Sequence, residues 1–318
     1  MAKTNSRIEV LDSLRAVAAL AVLVFHTTAY QFNFGRYGVQ LFFIISGFVI
    51  FKTVESTKTT GEFIIKRFFR LYPAYWVAII ITTIVVNLYS TSKHVSIKEF
   101  LVNLTMLQEH FKVENIDWSY WSLTPELFFY FYMAVLIFFK AVKYIYPVCV
   151  VWLIVILCNY FFKIEQHFIW IKFLNIRHGQ LFIAGIMFYR IFSREGSILK
   201  NYALILVTFV TSLLVYTPQY GFKDMIIIIT LCYSVFLLFI NGRLNFLKWR
   251  PLVFIGAISY PLYLIHQRIA LTIQENYNYT ANYFLVALLI LIFIAVAWII
   301  HILVEKPGQK LAKKILAG

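Results

Sequence analysis

The chain has 318 residues, of which 61% are hydrophobic and only 14% are charged, and its formal net charge is +15. In a typical soluble domain, about a quarter of the residues are charged. This composition therefore excludes an ordinary soluble protein and predicts an all-α polytopic membrane protein that contacts membrane lipid. The positive charge does not indicate nucleic acid binding, because the basic residues flank apolar segments and serve there as topology signals.

Ten apolar segments follow one another and predict a bundle of about ten transmembrane helices. A hydrocarbon core of about 30 Å needs roughly 20 apolar residues in a helix, and the second and sixth segments are shorter than that. We expect a single transmembrane domain over 1–318, with no appended soluble domain. The predicted spans are 11–31, 38–52, 71–90, 121–139, 144–162, 178–192, 202–217, 225–241, 252–272 and 283–303.

The distribution of basic residues predicts the orientation of these spans. With the N-terminus in the cytoplasm, 20 of the 29 Lys and Arg residues fall on the inner side and 9 on the outer side. Cytoplasmic loops carry an excess of Lys and Arg, so the count favours both termini in the cytoplasm. We expect a multi-pass protein of the cytoplasmic (inner) membrane, with the longest hydrophilic segment, 91–120, outside.

The first span carries three ionisable residues, Asp12, Arg15 and His26. In a helix, Arg15 and His26 lie within roughly 20° of one face and about 16 Å apart along the axis. Such residues cost several kcal/mol in lipid unless they face protein or a wet cavity, so they indicate a functional site. Asp12 and Arg15 form an (i, i+3) pair, and mutual neutralisation within the helix is the structural alternative.

Two later spans place ionisable residues at the depth predicted for His26. Glu126 lies near the outer end of the fourth span, and His266 near the outer end of the ninth. A carboxylate that holds one imidazole nitrogen leaves the other free as a base, so we predict His26 and Glu126 as the catalytic residues. Packed core residues are the alternative for both, and His266 is equally well explained as a substrate contact or as polar packing.

A basic cluster stands at the predicted inner start of the third span, in the segment KRFFRLYP. Several guanidinium groups suit a phosphate-bearing ligand, so we predict that Arg67 and Arg70, together with Arg15 and Asp12, bind such a ligand. A topology anchor is the structural alternative for this cluster.

Ser46 and Tyr260 complete the predicted substrate-binding residues, with His266. Ser46 lies in GVQLFFIISGF, where small residues also permit close helix approach, and Tyr260 lies in ISYPLYLIHQ. The three cysteines lie in apolar segments without the spacing of a disulfide or a metal site. We therefore predict no metal and no permanently bound cofactor.

The segment LDSLRAVAALAVLVFH, in which ten residues separate Arg from His, resembles the signature of the integral-membrane acyltransferase-3 family. Ser13 stands where that family usually has Gly, and Thr124-Pro125 where Ser-Val is commoner. Further blocks resemble the family in the same order along the chain: GVQLFFIISGF, FIIKRFFRLYPAYW, WSLTPELFFY, SYPLYLIHQ and VEKPGQK.

The resemblance implies an integral-membrane O-acyltransferase. Its expected co-substrate is acyl-CoA, most commonly acetyl-CoA, and its expected acceptor is a hydroxyl of a surface polysaccharide or of a lipid-linked saccharide precursor. Direct attack by the acceptor and a covalent acyl-imidazole relay both remain open. Two rivals from other classes are a glycolipid or saccharide transporter or flippase, in which Arg15 and His26 line a substrate path, and an anchoring component of an envelope assembly.

Overall fold

The computed structural model describes residues 8–166, 173–277, 279–280 and 282–317. These residues form α-helices joined by short turns: α1 (Glu9–Thr27), α2 (Gly38–Glu55), α3 (Thr60–Tyr89), α4 (Ile97–Asn103), α5 (Leu123–Phe138), α6 (Ile145–Phe162), α7 (Gly179–Phe192), α8 (Ile198–Tyr220), α9 (Phe222–Ile240), α10 (Arg250–Ile265), α11 (Gln267–Asn276), α12 (Tyr283–Ile300) and α13 (Lys306–Ile315). A π-helical turn, His301–Glu305, joins α12 to α13.

Within the described part of the chain, eight helices are long and apolar enough to cross a membrane: Glu9–Thr27, Asn33–Glu55, Thr60–Tyr89, Trp118–Phe138, Val142–Phe162, Ile198–Tyr220, Phe222–Ile240 and Tyr283–Ile315. The bent pair α10 and α11 forms a ninth candidate span, and α7, with 14 residues, matches the short sixth predicted span. The predicted all-α membrane class is therefore confirmed.

Two spans differ most from the prediction in their boundaries. α3 begins at Thr60, well before the predicted start at 71, because the basic residues of KRFFRLYP continue the helix beyond its apolar part. The predicted span 252–272 is not one straight helix, since α10 ends at Ile265 and α11 begins at Gln267 with a bend of 56°.

The helices are distributed over two compact units, and both units are discontinuous in sequence. Unit 1 contains Gln40–Phe63 and Pro125–Lys248 with the chain up to Val10, and unit 2 contains Leu11–Val39, Ile64–Thr124 and Trp249–Gly318. Each unit is thus assembled from separate stretches of the chain. The single domain over 1–318 stays a prediction.

In unit 1, α2 and α7 cross closely at two glycines. A Cβ atom at Gly47 would overlap the backbone of Phe182, and a Cβ atom at Gly185 would overlap the carbonyl oxygen of Ile44. Close backbone approach of this kind is what small residues permit between membrane helices. The aromatic ring of Phe48 is fully buried beside this crossing.

In unit 2, α1 packs against α10 and against the segment that leads into α2. A Cβ atom at Gly256 of α10 would overlap the carbonyl of Asp12, and one at Gly35 would overlap the carbonyl of Ala21. The faces of α1 that carry Asp12 and Ala16 are buried. The first span is therefore an interior helix of unit 2, and its ionisable residues face protein.

Candidate active site

The candidate site in unit 2 begins at the end of α1, where His26 lies half-buried in the last turn. The chain then turns through Ala29 and Tyr30, whose φ angles of 50° and 67° lie in the left-handed region. Non-glycine residues rarely adopt this conformation, and such strain clusters at functional sites. The turn brings the Tyr30 ring edge-on to the His26 imidazole, with the ring centroids 5.7 Å apart.

The second part of the site is the break between α10 and α11, which is occupied by His266. The last carbonyl groups of a helix have no partner within it. At this break the Tyr263 carbonyl accepts hydrogen bonds from Nδ1 of His266 at 2.7 Å and from Oγ of Ser119 at 3.3 Å. The side chains of His266 and Ser119 thus satisfy the Tyr263 carbonyl in place of a backbone N–H of the helix. His266 is only 1% exposed.

The two parts meet through a pair of imidazoles. Nδ1 of His26 lies 2.9 Å from Nε2 of His266, and the ring centroids are 5.0 Å apart. Together with the Gly256–Asp12 contact, this pair shows that α1 and α10 run in the same direction through unit 2. Both ring nitrogens of His266 are engaged by protein groups, and its predicted contact with substrate stays a prediction.

A buried carboxylate, Asp117, holds the break in place. It accepts hydrogen bonds from the backbone N–H of Arg268 at 2.8 Å, from the backbone N–H of Ser119 at 2.8 Å and from Oγ of Ser119 at 2.6 Å. Asp117 therefore caps both α11 and the short helix Trp118–Ser122, whose N-terminal ends favour a negative charge.

The charge of Asp117 follows from two opposing effects. Burial raises the pKa of Asp117 to about 6, and the hydrogen bonds from Ser119 and Arg268 partly offset that rise. The carboxylate is consequently mostly ionised at neutral pH and accepts all three bonds. Asp117 was not predicted as a site residue, because it belongs to the hydrophilic segment 91–120. The available signal was an Asp directly before an apolar helix, the N-cap position.

The side chain of Arg268 extends the same network to the end of α3. Its Nη2 donates to Oγ of Ser90 at 2.8 Å and lies 3.4 Å from Oε1 of Glu275, with which it forms an ion pair. Glu275 in turn accepts a hydrogen bond from Oγ of Ser90 at 2.7 Å. These hydrogen bonds hold α11 against the end of α3, so the helix that follows the break at His266 is fixed in position.

The residues predicted to bind the phosphate-bearing donor, named the predicted donor-binding cluster, are Asp12, Arg15, Arg67 and Arg70, and all of them lie in unit 2. Nη1 of Arg15 lies 3.4 Å from Oδ1 of Asp12, the (i, i+3) pair expected from the sequence. Arg70 forms an ion pair with Glu305, whose side chain is fully buried. Two of the three predicted guanidinium groups are therefore neutralised by carboxylates, and Arg67 lies half-buried one turn before Arg70.

Glu305 is held by the π-helical turn that follows α12. Its carboxylate accepts from Nδ1 of His301 at 2.7 Å and from Nε2 of Gln309 at 3.1 Å. π-helical turns of this type are frequently found at functional sites. The guanidinium of Arg70 also lies 5.8 Å from the centre of the Tyr260 ring. Tyr260 thus lies beside Arg70 of the predicted donor-binding cluster, although in sequence it belongs to the block that contains His266.

The remaining predicted residues lie in unit 1. Glu126, in the first turn of α5, accepts a hydrogen bond from the Tyr130 hydroxyl at 2.6 Å and is half-buried. Ser46 is half-buried on α2, beside Gly47. His26 belongs to unit 2 and Glu126 to unit 1, and their predicted pairing stays a prediction. Over the described ranges, no group of three His, Cys, Asp or Glu side chains is arranged to hold a metal ion.

Several known proteins are similar to parts of this chain. A peptidoglycan O-acetyltransferase, OatA, of Listeria monocytogenes is 34% identical over 100 residues, which cover 30% of this chain and 15% of that protein. Protein 2 in the picA locus of Rhizobium radiobacter is 44% identical over 84 residues, 23% of this chain and 42% of that protein. The matches thus span less than half the length of these relatives.

No solved structure shows a significant match to the chain. The match to a protein family covers far more of the chain than the matches to individual relatives. The family, described as an acyltransferase domain, matches residues 8–303. That range contains α1, the break at His266 and the start of the π-helical turn. The chain therefore belongs to the acyltransferase-3 family, as the resemblance of its sequence blocks predicted.

Proposed function

We propose that the protein is an integral-membrane O-acyltransferase of the cytoplasmic membrane. It moves an acyl group, in the first instance acetyl, from acyl-CoA on the cytoplasmic side to a hydroxyl of a surface polysaccharide or lipid-linked saccharide outside. The observation that carries this proposal is the imidazole pair of His26 and His266 at the end of an interior span. The family membership supports acyl transfer, and the name of the Listeria relative supports a glycan acceptor.

The chemistry requires one base. A ring nitrogen of His26 takes the proton of the acceptor hydroxyl while the hydroxyl oxygen attacks the thioester carbonyl carbon. The C–S bond of the tetrahedral intermediate then breaks, and the leaving thiolate takes the proton from His26. The products are an ester and free coenzyme A, and the imidazole returns to its neutral state.

The donor-binding cluster supports an entry for the coenzyme at the other end of α1. Arg15 and His26 are about 16 Å apart along the helix, a distance that an extended pantetheine arm covers. Arg15, Arg67 and Arg70 supply guanidinium groups for the phosphates, and Asp12 and Glu305 hold two of them in position. Glu126, the catalytic partner of His26 predicted from the sequence, is kept as a separate prediction, because the structure gives Nδ1 of His26 a contact with His266.

The test is acetyl transfer by the purified protein in proteoliposomes. With radiolabelled acetyl-CoA and a saccharide acceptor, we expect the wild type to release free coenzyme A and label the acceptor. His26→Ala should lower kcat by at least 100-fold, since a general base contributes about 10²–10⁴-fold. His94→Ala, an exposed histidine of a surface segment, is the matched control and should leave the rate unchanged.

Two outcomes would contradict the proposal. A correctly inserted wild type without thioester turnover, but with saccharide movement across the bilayer, would favour the transporter. A His26→Ala variant with the wild-type rate would remove His26 from the chemistry. Glu126→Gln tests the predicted partner separately, and we expect a loss comparable to that of His26→Ala.

A further inference from the structure

We propose that His266 is a positioning residue that fixes the tautomer of His26, with the hydrogen on Nδ1 and the lone pair of Nε2 facing the substrate. The role in catalysis rests on the proposed function, whereas the tautomer is a property of the protein alone. His266 does not touch the reacting atoms in this scheme. It acts only through the 2.9 Å contact between its Nε2 and Nδ1 of His26.

The tautomer follows from one backbone carbonyl. The Tyr263 carbonyl lies 2.7 Å from Nδ1 of His266, and a carbonyl oxygen can only accept a hydrogen bond. Nδ1 of His266 therefore carries the hydrogen, and its Nε2 is an acceptor when the ring is neutral. The nitrogen that faces this acceptor, Nδ1 of His26, must then be the donor. Nε2 of His26 is left with a lone pair, as a general base requires.

The orienting group is rigid because the helix break surrounds it. His266 is 1% exposed, and the carbonyl that holds it also accepts a hydrogen bond from Ser119. Ser119 donates a hydrogen bond to Asp117, which also accepts one from the backbone N–H of Arg268 in the first turn of α11. The imidazole cannot rotate without breaking these bonds, so it presents its Nε2 to His26 in one orientation.

The pair differs from a carboxylate–histidine pair in charge. When Nε2 of His26 accepts the substrate proton, the cation formed keeps its Nδ1–H bond to a neutral imidazole. A hydrogen bond to a charged group is about twice as strong as one between neutral groups, so this contact strengthens as the charge develops. His266 consequently contributes to kcat, with little effect on the binding of acyl-CoA.

A matched pair of substitutions separates this role from packing. In His266→Gln the side-chain oxygen lies near the position of Nε2 and can still accept from His26. In His266→Asn the amide can still bond the Tyr263 carbonyl but is too short to reach His26. Both replace a buried imidazole with a buried amide, so a merely structural role would affect them alike.

The kinetic readout is acetyl transfer in proteoliposomes. We expect His266→Gln to keep kcat within about 10-fold of the wild type and His266→Asn to lose about 100-fold, the lower range for loss of acid–base catalysis. The KM for acetyl-CoA should change little in either variant. His178→Gln is the control: this buried histidine of unit 1 bonds the Tyr216 hydroxyl at 2.8 Å and should not change kcat.

The second readout does not need activity. Solid-state ¹⁵N NMR of histidine-labelled protein in lipid reports which ring nitrogen carries the hydrogen, with His26→Gln identifying the signals of His26. We expect the Nδ1–H tautomer in the wild type and in His266→Gln, and a mixture in His266→Asn. The ring of His26 also bonds the Val22 carbonyl, which is the competing explanation for the tautomer.

The outcomes are distinguishable. An Nε2–H tautomer in the wild type, or an unchanged Nδ1–H tautomer in His266→Asn, would overturn the proposal, the second by assigning the tautomer to Val22. Equal kcat values for the folded Gln and Asn variants would overturn the catalytic role. A wild type with the Nδ1–H tautomer but no acyl transfer would contradict the proposed function and leave the positioning by His266 supported.

Discussion

Glu305 is a buried carboxylate that pairs with Arg70 of the predicted donor-binding cluster. Its side chain is fully buried, pairs with Arg70 and accepts hydrogen bonds from His301 and Gln309. A buried charge is tolerated only when it is paired and its remaining lone pairs are satisfied. Glu305 meets this condition at the π-helical turn, where the helix widens to bring these groups together.

The first prediction concerns this ion pair. Glu305→Gln should destabilise the protein by about 3 kcal/mol at most, because it leaves Arg70 without its buried partner, while the partial exposure of Arg70 limits the cost. The measurement is the thermal midpoint in detergent. The double variant Glu305→Gln/Arg70→Gln should recover part of the loss. Additive losses in the double variant would show that the two side chains do not interact energetically.

The contact of α1 with α10 determines how the two histidines come together. The backbones of α1 and α10 approach closely at Asp12 and Gly256, and further along the same two helices the imidazoles of His26 and His266 are within hydrogen-bond distance. A side chain at residue 256 would force the two helices apart. The distance between the imidazoles therefore depends on a glycine in the same helix.

The second prediction is that Gly256→Ala lowers both stability and activity. Its Cβ would overlap the Asp12 backbone, which cannot move aside, and overpacking of this kind costs about 1–3 kcal/mol or more. The matched control is Gly61→Ala in α3, where a Cβ would meet no atom within 4 Å. Thermal midpoints and acetyl transfer of both variants are the measurements. A Gly256→Ala protein that behaves like Gly61→Ala would contradict the close packing.

The sequence predicted the spans well but not the interruptions within them. Length and hydrophobicity are properties of the whole segment, so α6 and α8 lie close to their predicted limits. The break at His266 could not be predicted in this way, because ISYPLYLIHQ continues a mostly apolar segment. It depends on bonds from Ser119 and Asp117, which are about 150 residues away in sequence.

The candidate site residues stand out in the sequence, whereas their structural partners do not. His26, Arg15 and His266 stand out because ionisable groups are costly in lipid. Their neighbours did not, since Tyr263 contributes a backbone carbonyl, which no side-chain pattern reveals. Tyr260 was grouped with His266 by sequence proximity, yet in three dimensions it lies beside Arg70.

At the scale of the whole molecule, the proposed orientation gives the third prediction. If both termini are cytoplasmic, a membrane-impermeant thiol reagent should label Lys98→Cys in intact cells and Lys313→Cys only after permeabilisation. Both positions are exposed in the structure. The native cysteines lie in apolar helices, and Cys149 and Cys232 are buried, so the wild type serves as the unlabelled control. The reverse labelling pattern would invert the proposed donor and acceptor sides.

The discontinuity of unit 2 has a consequence for synthesis of the protein. α1 emerges from the ribosome before α10, and Gly256 of α10, which packs against the Asp12 carbonyl, follows 256 − 12 = 244 residues later. At about 5–20 residues per second, that interval lasts roughly 12–50 s. During this time the polar face of α1 lacks its final neighbour. In nascent chains arrested before α10, α1 should accordingly stay in contact with the insertion machinery and should not be released into the bilayer.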